Sequence, residues 1–176
     1  LARVKLGHAM LLTLRGVPTI YYGDEQGFVS DGNDQKARED MFPSQVAEYN
    51  DNDLIGTDAT TAQANFDQNH PLYRQIAELA ALRRSTPALT SGKTRIRAFS
   101  DKPGLFAVSR TDPQTGAEVV LAFNTSATAL SARIAVDPLS GSFVTLVGQC
   151  SPKADAPGSL SINLPAFGYA VCAARN

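Results

Sequence analysis

The stretch Gly16-Val17-Pro18-Thr19-Ile20-Tyr21-Tyr22-Gly23-Asp24-Glu25 is β-branched and aromatic from Val17 to Tyr22 and closed by glycine at each end. A short, continuously apolar run of this kind reads as a strand of a parallel sheet covered on both faces. Directly upstream, Val4, Gly7, Leu11 and Leu14 recur at three- and four-residue spacing, and Met10 and Leu12 widen that stripe. This spacing predicts a deeply packed helix over residues 1–14, ended by a basic last turn at Arg15 and a C-terminal glycine at Gly16. Helix, short turn and buried strand make one αβ unit.

Downstream the pattern changes twice. From Gly23 to about Gln68 the chain is rich in Asp, Asn, Gln, Thr and Gly without a sustained period. So long an excursion between regular elements tends to be functional. A second helix then opens at Pro71, capped by Asn69 or His70. Leu72, Ile76, Leu79 and Leu82 form its apolar face, Arg74, Gln75, Glu78 and Arg83 are expected to face out, and it ends near Ser85-Thr86-Pro87. After Gly92 the period switches to two. Strands are expected at Thr94–Phe99, Leu105–Arg110, Glu118–Asn124, Ala132–Val136, Phe143–Val147, Ser159–Leu164 and Tyr169–Ala173, separated by turn signals such as Asp112-Pro113-Gln114-Thr115-Gly116. The fold class is therefore α/β followed by all-β, the latter an antiparallel sandwich, with the boundary near residue 92.

Composition narrows the function. The chain has 176 residues, with 16 basic and 17 acidic side chains and a formal net charge of -1. That balance argues against a nucleic-acid partner, which calls for a basic stripe. The longest candidate membrane segment, Ala9 to Leu14, is far too short and is flanked by His8 and Arg15, so no membrane association is expected. The chain begins without an initiator Met or a signal-peptide pattern, and inside a helical period, which reads as a piece of a longer protein. Cys150 and Cys172 are too few for a disulfide scaffold. They either bridge two strands in an oxidising compartment or pack as two small hydrophobes.

Candidate chemistry concentrates in the polar excursion, which carries Asp24, Glu25, Asp31, Asp34, Arg38, Glu39 and Asp40 just past the strand. The C-terminal edge of parallel strands is where barrels and open α/β sheets bind ligands. Arg38 has the planar fork to hold a substrate hydroxyl or a neighbouring carboxylate. The alternative is that these charges only solvate a loop. Asp51, Asp53 and Asp58 offer clustered carboxylates to calcium, but at a spacing unlike an EF-hand loop. His8 reads as a packed helix residue, and neither a G-x-S-x-G elbow nor a Gly-rich phosphate loop is present. With no Trp in the chain, the sandwich lacks the ring best suited to stacking on sugars.

Gly16 to Glu25 resembles the G-x-P-x-I-Y-Y-G-x-E signature of the α-amylase family, glycoside hydrolase family 13. There it forms the eighth strand of a (β/α)8 barrel and its exit. By the same comparison the helix at Ala2–Leu14 resembles the seventh barrel helix. Asp34-Gln35-Lys36-Ala37-Arg38-Glu39-Asp40-Met41-Phe42 is similar to the D-x-x-x-R-x-x-M-x-W segment of the eighth loop, with Phe42 one position early. The helix from Pro71 resembles the eighth barrel helix, and the β-rich remainder resembles the sandwich called domain C. Residues 1–92 are thus expected to be the C-terminal portion of a barrel and 93–176 the C-terminal sandwich.

The resemblance implies a retaining enzyme acting on α-glucans or α-glucosides, with nucleophile and acid roughly 5–5.5 Å apart. The family carries its three catalytic carboxylates on the fourth, fifth and seventh strands, before Leu1, so this chain is expected to hold none of them and to be inactive alone. Its implied partner is the missing N-terminal barrel portion. Arg38 and Met41 are then substrate-binding candidates on the eighth loop, while Asp24 and Glu25 anchor that loop. No cofactor is implied beyond a calcium ion in the full-length parent, and the family leans towards secreted or periplasmic proteins. Two further readings stand beside it. One is a transglycosylase or isomerase of the same family, of the trehalose synthase or sucrose phosphorylase type. The other is a stand-alone carbohydrate-binding or interaction module.

Overall fold

The computed structural model describes residues 1–30, 32–50 and 52–175. Helix α1 spans Ala2–Thr13, α2 Pro71–Ser85 and α3 Pro87–Ser91. Seven strands follow: β1 Lys93–Ala98, β2 Leu105–Thr111, β3 Glu118–Asn124, β4 Leu130–Ala135, β5 Ser142–Val147, β6 Ser159–Leu164 and β7 Tyr169–Arg175. By internal contacts the chain gathers into two compact units, Leu1 with Pro18–Glu78, and Ala2–Val17 with Leu79–Asn176.

In the second unit, β1-β2-β3-β7-β5 form one sheet and β4-β6 another, and every pairing is antiparallel. Alternate residues of the two sheets meet in one core: Val120 and Ala122 of β3, Ala170 and Cys172 of β7, Ile134 of β4, Phe143 of β5, and Leu160, Ile162 and Leu164 of β6. β3 is buried along its whole length, because α1 and α3 lie against its other face. A strand covered on both sides must be apolar at consecutive positions, and Val119-Val120-Leu121-Ala122-Phe123 meets that condition. Within this sandwich Glu118, 2% exposed at its side chain, accepts from Arg97 at 2.6 Å. The same carboxylate accepts from the Ser109 hydroxyl and, at 2.9 Å, from the backbone N–H of Asp137. Cys150 and Cys172 are joined in a disulfide with Cα atoms 5.8 Å apart.

Three helical expectations need correction. The buried residues of α1 are Leu6, His8, Ala9, Leu12 and Thr13, whereas Gly7 and Leu11 of the expected stripe are exposed. The helix is apolar around most of its circumference, so periodicity could not choose the face that packs here. Gln75 is buried rather than outward. Arg83 also turns inward, donating to the carbonyls of Leu12 and Leu14 at 3.0 and 3.1 Å and of Gly16 at 2.6 Å. The last carbonyls of a helix lack intrahelical partners, and a guanidinium both bonds them and suits the negative end of the dipole. At the start of α2, His70 is the cap: its Nδ1 accepts the N–H of Leu72 at 3.2 Å.

Val17–Tyr22, expected as a buried parallel strand, is irregular and pairs with no described residue. Val17 is 92% exposed and Tyr21 55%. A parallel strand takes its hydrogen bonds and its cover from neighbours, and the described residues supply no paired strand and cover only Pro18 and Ile20 in part.

Candidate functional site

The site is built on the end of this ribbon, within the first unit. Gly23 has φ 92° and turns the chain into a single 3-10 turn, Asp24–Gln26. Two carboxylates hold the turn: Asp24 accepts the Tyr21 N–H at 2.9 Å, and Glu25 accepts the Gly23 N–H at 3.1 Å. Gln26, only 3% exposed, donates to the Asp67 carbonyl at 3.0 Å and accepts the Asp67 N–H at 2.9 Å. Gly27, with φ 73°, accepts the Ile55 N–H at 2.8 Å; a Cβ there would lie 2.2 Å from the Ile55 carbonyl oxygen. Only glycine permits that approach.

The polar excursion is thus a folded loop with its own internal bonds rather than a solvated tether. Glu39, 1% exposed, accepts from the Asn52 side chain. The Met41 carbonyl accepts the Asn65 N–H at 2.8 Å, and the Thr61 carbonyl accepts the Ser44 N–H at 3.2 Å. Gln26, Glu39 and Asn52 were not singled out for these roles. A buried Glu flanked by the exposed Arg38 and Asp40 leaves no trace in composition.

Tyr21 and Tyr22 pack ring against ring, centroids 4.5 Å apart. Successive strand residues would point to opposite faces; here the chain is already turning at Tyr22, and both rings fall on one side. They line two recesses. One, of about 300 Å³, also involves Asp24, Phe28, Asp34 and Arg38. The other, of about 510 Å³, involves Glu25, Tyr73 and Ile76. Partial desolvation raises the phenol of the half-exposed Tyr22 above its ordinary value; the bond to Tyr21 and the charges of Tyr21 and Asp40 reinforce this and Arg38 opposes it. Arg38 is exposed and pairs with Asp34 at 3.1 Å.

Arg38 and Asp24 therefore share a recess, and Glu25 borders the neighbouring one. Met41 lines neither, and its carbonyl belongs to the bond with Asn65. Because Asp24 and Glu25 are engaged by backbone N–H groups, the corner offers aromatic faces and one guanidinium, which suits binding more than proton transfer. Of the calcium candidates, Asp53 and Asp58 are exposed and Asp51 lies outside the described residues, as does Asp31. Among the described residues no group of three or more His, Cys, Asp or Glu could hold a metal ion.

The chain is 43% identical over 167 residues to an α-amylase of Streptomyces lividans, an alignment that takes in 94% of this chain and 18% of the relative. The chain belongs to the α-amylase family, glycoside hydrolase family 13. It corresponds to a C-terminal part of an α-amylase family enzyme. A second relative, a cyclomaltodextrinase of Geobacillus thermopakistaniensis, is 29% identical over 99% of this chain and 26% of its own length. The chain thus spans about a fifth to a quarter of these relatives. No family model matches it. Among solved structures, the gamma-CGTase of alkalophilic Bacillus clarkii superposes on 99% of this chain and 23% of its own, with TM-score 0.70 at 22% identity. That likeness shows the fold, including the domain C sandwich of the α-amylase family. Among the described residues no helix is long and apolar enough to cross a membrane.

Proposed function

We propose that this chain is the closing part of a retaining enzyme that acts on α-glucans, with its catalytic carboxylates in the portion of the protein before Leu1. The observation that carries this reading is the order of parts: the Gly16–Glu25 strand signature, the loop with Arg38 and Met41, the helix from Pro71 and the sandwich, aligned together with an α-amylase at 43% identity. In the parent, Val17–Tyr22 is the eighth barrel strand, Tyr21, Tyr22 and Arg38 belong to the cleft wall, and Asp24 and Glu25 hold the loop that carries them. The exposed apolar ribbon supports this, because a bare strand edge and a 92% exposed Val17 call for cover. The chain expressed alone releases no reducing sugar from malto-oligosaccharides, while the full-length protein does. Turnover by the isolated chain would overturn the placement of the catalytic groups.

A second reading within the family is transfer to a sugar acceptor instead of water. Relatives named cyclomaltodextrin glucanotransferase, such as that of Bacillus sp. strain 1-1 at 37% identity over 93 residues, favour keeping it. Product analysis of the full-length protein separates the two: linear oligosaccharides mark hydrolysis, whereas cyclic or lengthened products mark transfer.

A further inference from the structure

In the second unit a groove of about 610 Å³ runs between the first turn of α1 and the ends of β5, β6 and β7. Its volume falls within the range of about 300–1,000 Å³ usual for ligand sites. Lys5, Gln149, Asn163, Phe167 and Tyr169 line it, together with the backbone at Gly148, and no Asp or Glu lies among its described lining residues.

Both walls are fixed. On one side Gly148, at φ 73°, sits so close to β7 that a Cβ would lie 2.4 Å from the Tyr169 carbonyl oxygen. The disulfide from Cys150 to Cys172 ties the next turn to the same strand. On the other side the fully buried Asn124 donates to the carbonyls of Thr128 at 2.7 Å and Pro165 at 2.8 Å, and its own N–H bonds the Gly168 carbonyl at 2.8 Å. These bonds fix the turn that presents Phe167. Phe167 has φ 52°, the sole non-glycine with positive φ among the described residues. A bulky residue in the left-handed region is strained, and such strain persists only where its surroundings impose it. The Arg3 guanidinium lies 4.8 Å from the centroid of the Phe167 ring and steadies it.

We infer that this groove is a second binding site for a neutral α-glucan chain, apart from the Tyr21–Arg38 corner. Sugar C–H faces stack on aromatic rings, and sugar hydroxyls bond to amides and to an ammonium group. Phe167 and Tyr169 provide the rings, Gln149 and Lys5 provide donors, and the Asn163 carbonyl already accepts from Ser131 at 2.6 Å, which orients its amide nitrogen as a donor. The described lining residues hold no carboxylate to favour a cationic ligand, and rigid walls lower the ordering cost of binding. The occupant, an α-glucan, rests on the function proposed above; the groove geometry does not.

The test uses the full-length protein and maltoheptaose, read by amide hydrogen exchange and by cleavage of a short chromogenic malto-oligosaccharide. Wild type shows sugar-dependent protection at residues 147–149 and 166–169. Phe167→Gly, which deletes the ring and relaxes the backbone, and Gln149→Ala each weaken that protection about tenfold in sugar concentration, with short-substrate cleavage within twofold of wild type. Protection that is absent, constant without sugar, or dependent on protein concentration overturns the site, the last two assigning the groove to another part of the chain or a second copy. Equal loss of protection and cleavage in both variants also overturns it. Protection without any cleavage leaves the groove standing and removes the proposed activity.

Discussion

Gln26 and Asp67 exchange two hydrogen bonds across 41 residues, side-chain amide to backbone in both directions. The pair closes the excursion on itself, so the loop bearing Arg38 and Met41 is held at its base. Replacing Gln26 with Leu strands the part-buried N–H and carbonyl of Asp67 and costs about 0.5–1.5 kcal/mol for each bond lost. Gln26→Glu keeps the acceptor and loses the donor, so it falls between. Urea unfolding of the three proteins checks the order; a Leu variant as stable as wild type removes the pair from any role in the loop.

The Arg97–Glu118 pair, with side chains 8% and 2% exposed, is buried and accepts further bonds from Ser109 and Asp137. Glu118→Leu leaves a buried guanidinium without its counter-charge and costs about 3–5 kcal/mol. The double variant Arg97→Met with Glu118→Leu regains most of that loss, since both charges leave together. A double-mutant cycle in denaturant reads the coupling, and additive single effects would contradict it.

Arg110 behaves in the opposite way. It is 1% exposed, its Nη2 donates to the Gly92 carbonyl at 3.1 Å, and its Nε and Nη1 have no partner among the described residues. Burial lowers its pKa, with Arg83 and Arg15 adding repulsion. Arg110→Met keeps the length and removes the charge, so the melting temperature stays the same or rises. A marked fall would show that the guanidinium is compensated by something the geometry leaves out.

Arg38 and Asp34 form an exposed ion pair of the kind that contributes less than about 1 kcal/mol. Arg38→Ala therefore leaves the melting temperature of the full-length enzyme unchanged. If Arg38 lines the cleft, the same change lowers kcat/KM on malto-oligosaccharides by about tenfold or more. Unchanged kinetics would reduce Arg38 to a surface ion pair.

Tyr22, 46% exposed, makes a small contribution to the alkaline limb of stability. Its phenol keeps the proton in the folded protein at a pH where the unfolded chain has lost it. Its contribution is full below the ordinary tyrosine value and is lost as pH rises through the raised one. Tyr22→Phe flattens that part of the stability profile. Equal slopes in the two proteins would show that the folded pKa is not raised.

The sandwich was legible because alternation and turn residues carry it. Glu118–Asn124 and Ser159–Leu164 have the expected bounds, and the other five strands start or stop within two residues. α1 was legible as a helix but not as a face, since Leu6, Leu11 and Leu12 are equally apolar and packing alone chooses among them. Gln75 and Arg83 look like surface residues by type, yet a long polar side chain can reach an orphaned carbonyl, as Arg83 does at Leu12. At the candidate site Arg38, Asp24 and Glu25 could be named from a motif, whereas Gln26 and Glu39 act through neighbours 41 and 13 residues away. Such pairings are set by the folded loop and have no local signature.

The bond between Cys150 and Cys172 closes a loop with a sequence separation of 22, for which chain entropy gives about 3 kcal/mol. Thiols stay reduced in ordinary cytosol. One gene would therefore yield two products: a heat-hardened form matured where thiols oxidise, and a softer form recovered from a reducing host. Preparations from different hosts should not be pooled, or compared by melting point, until their thiols have been counted.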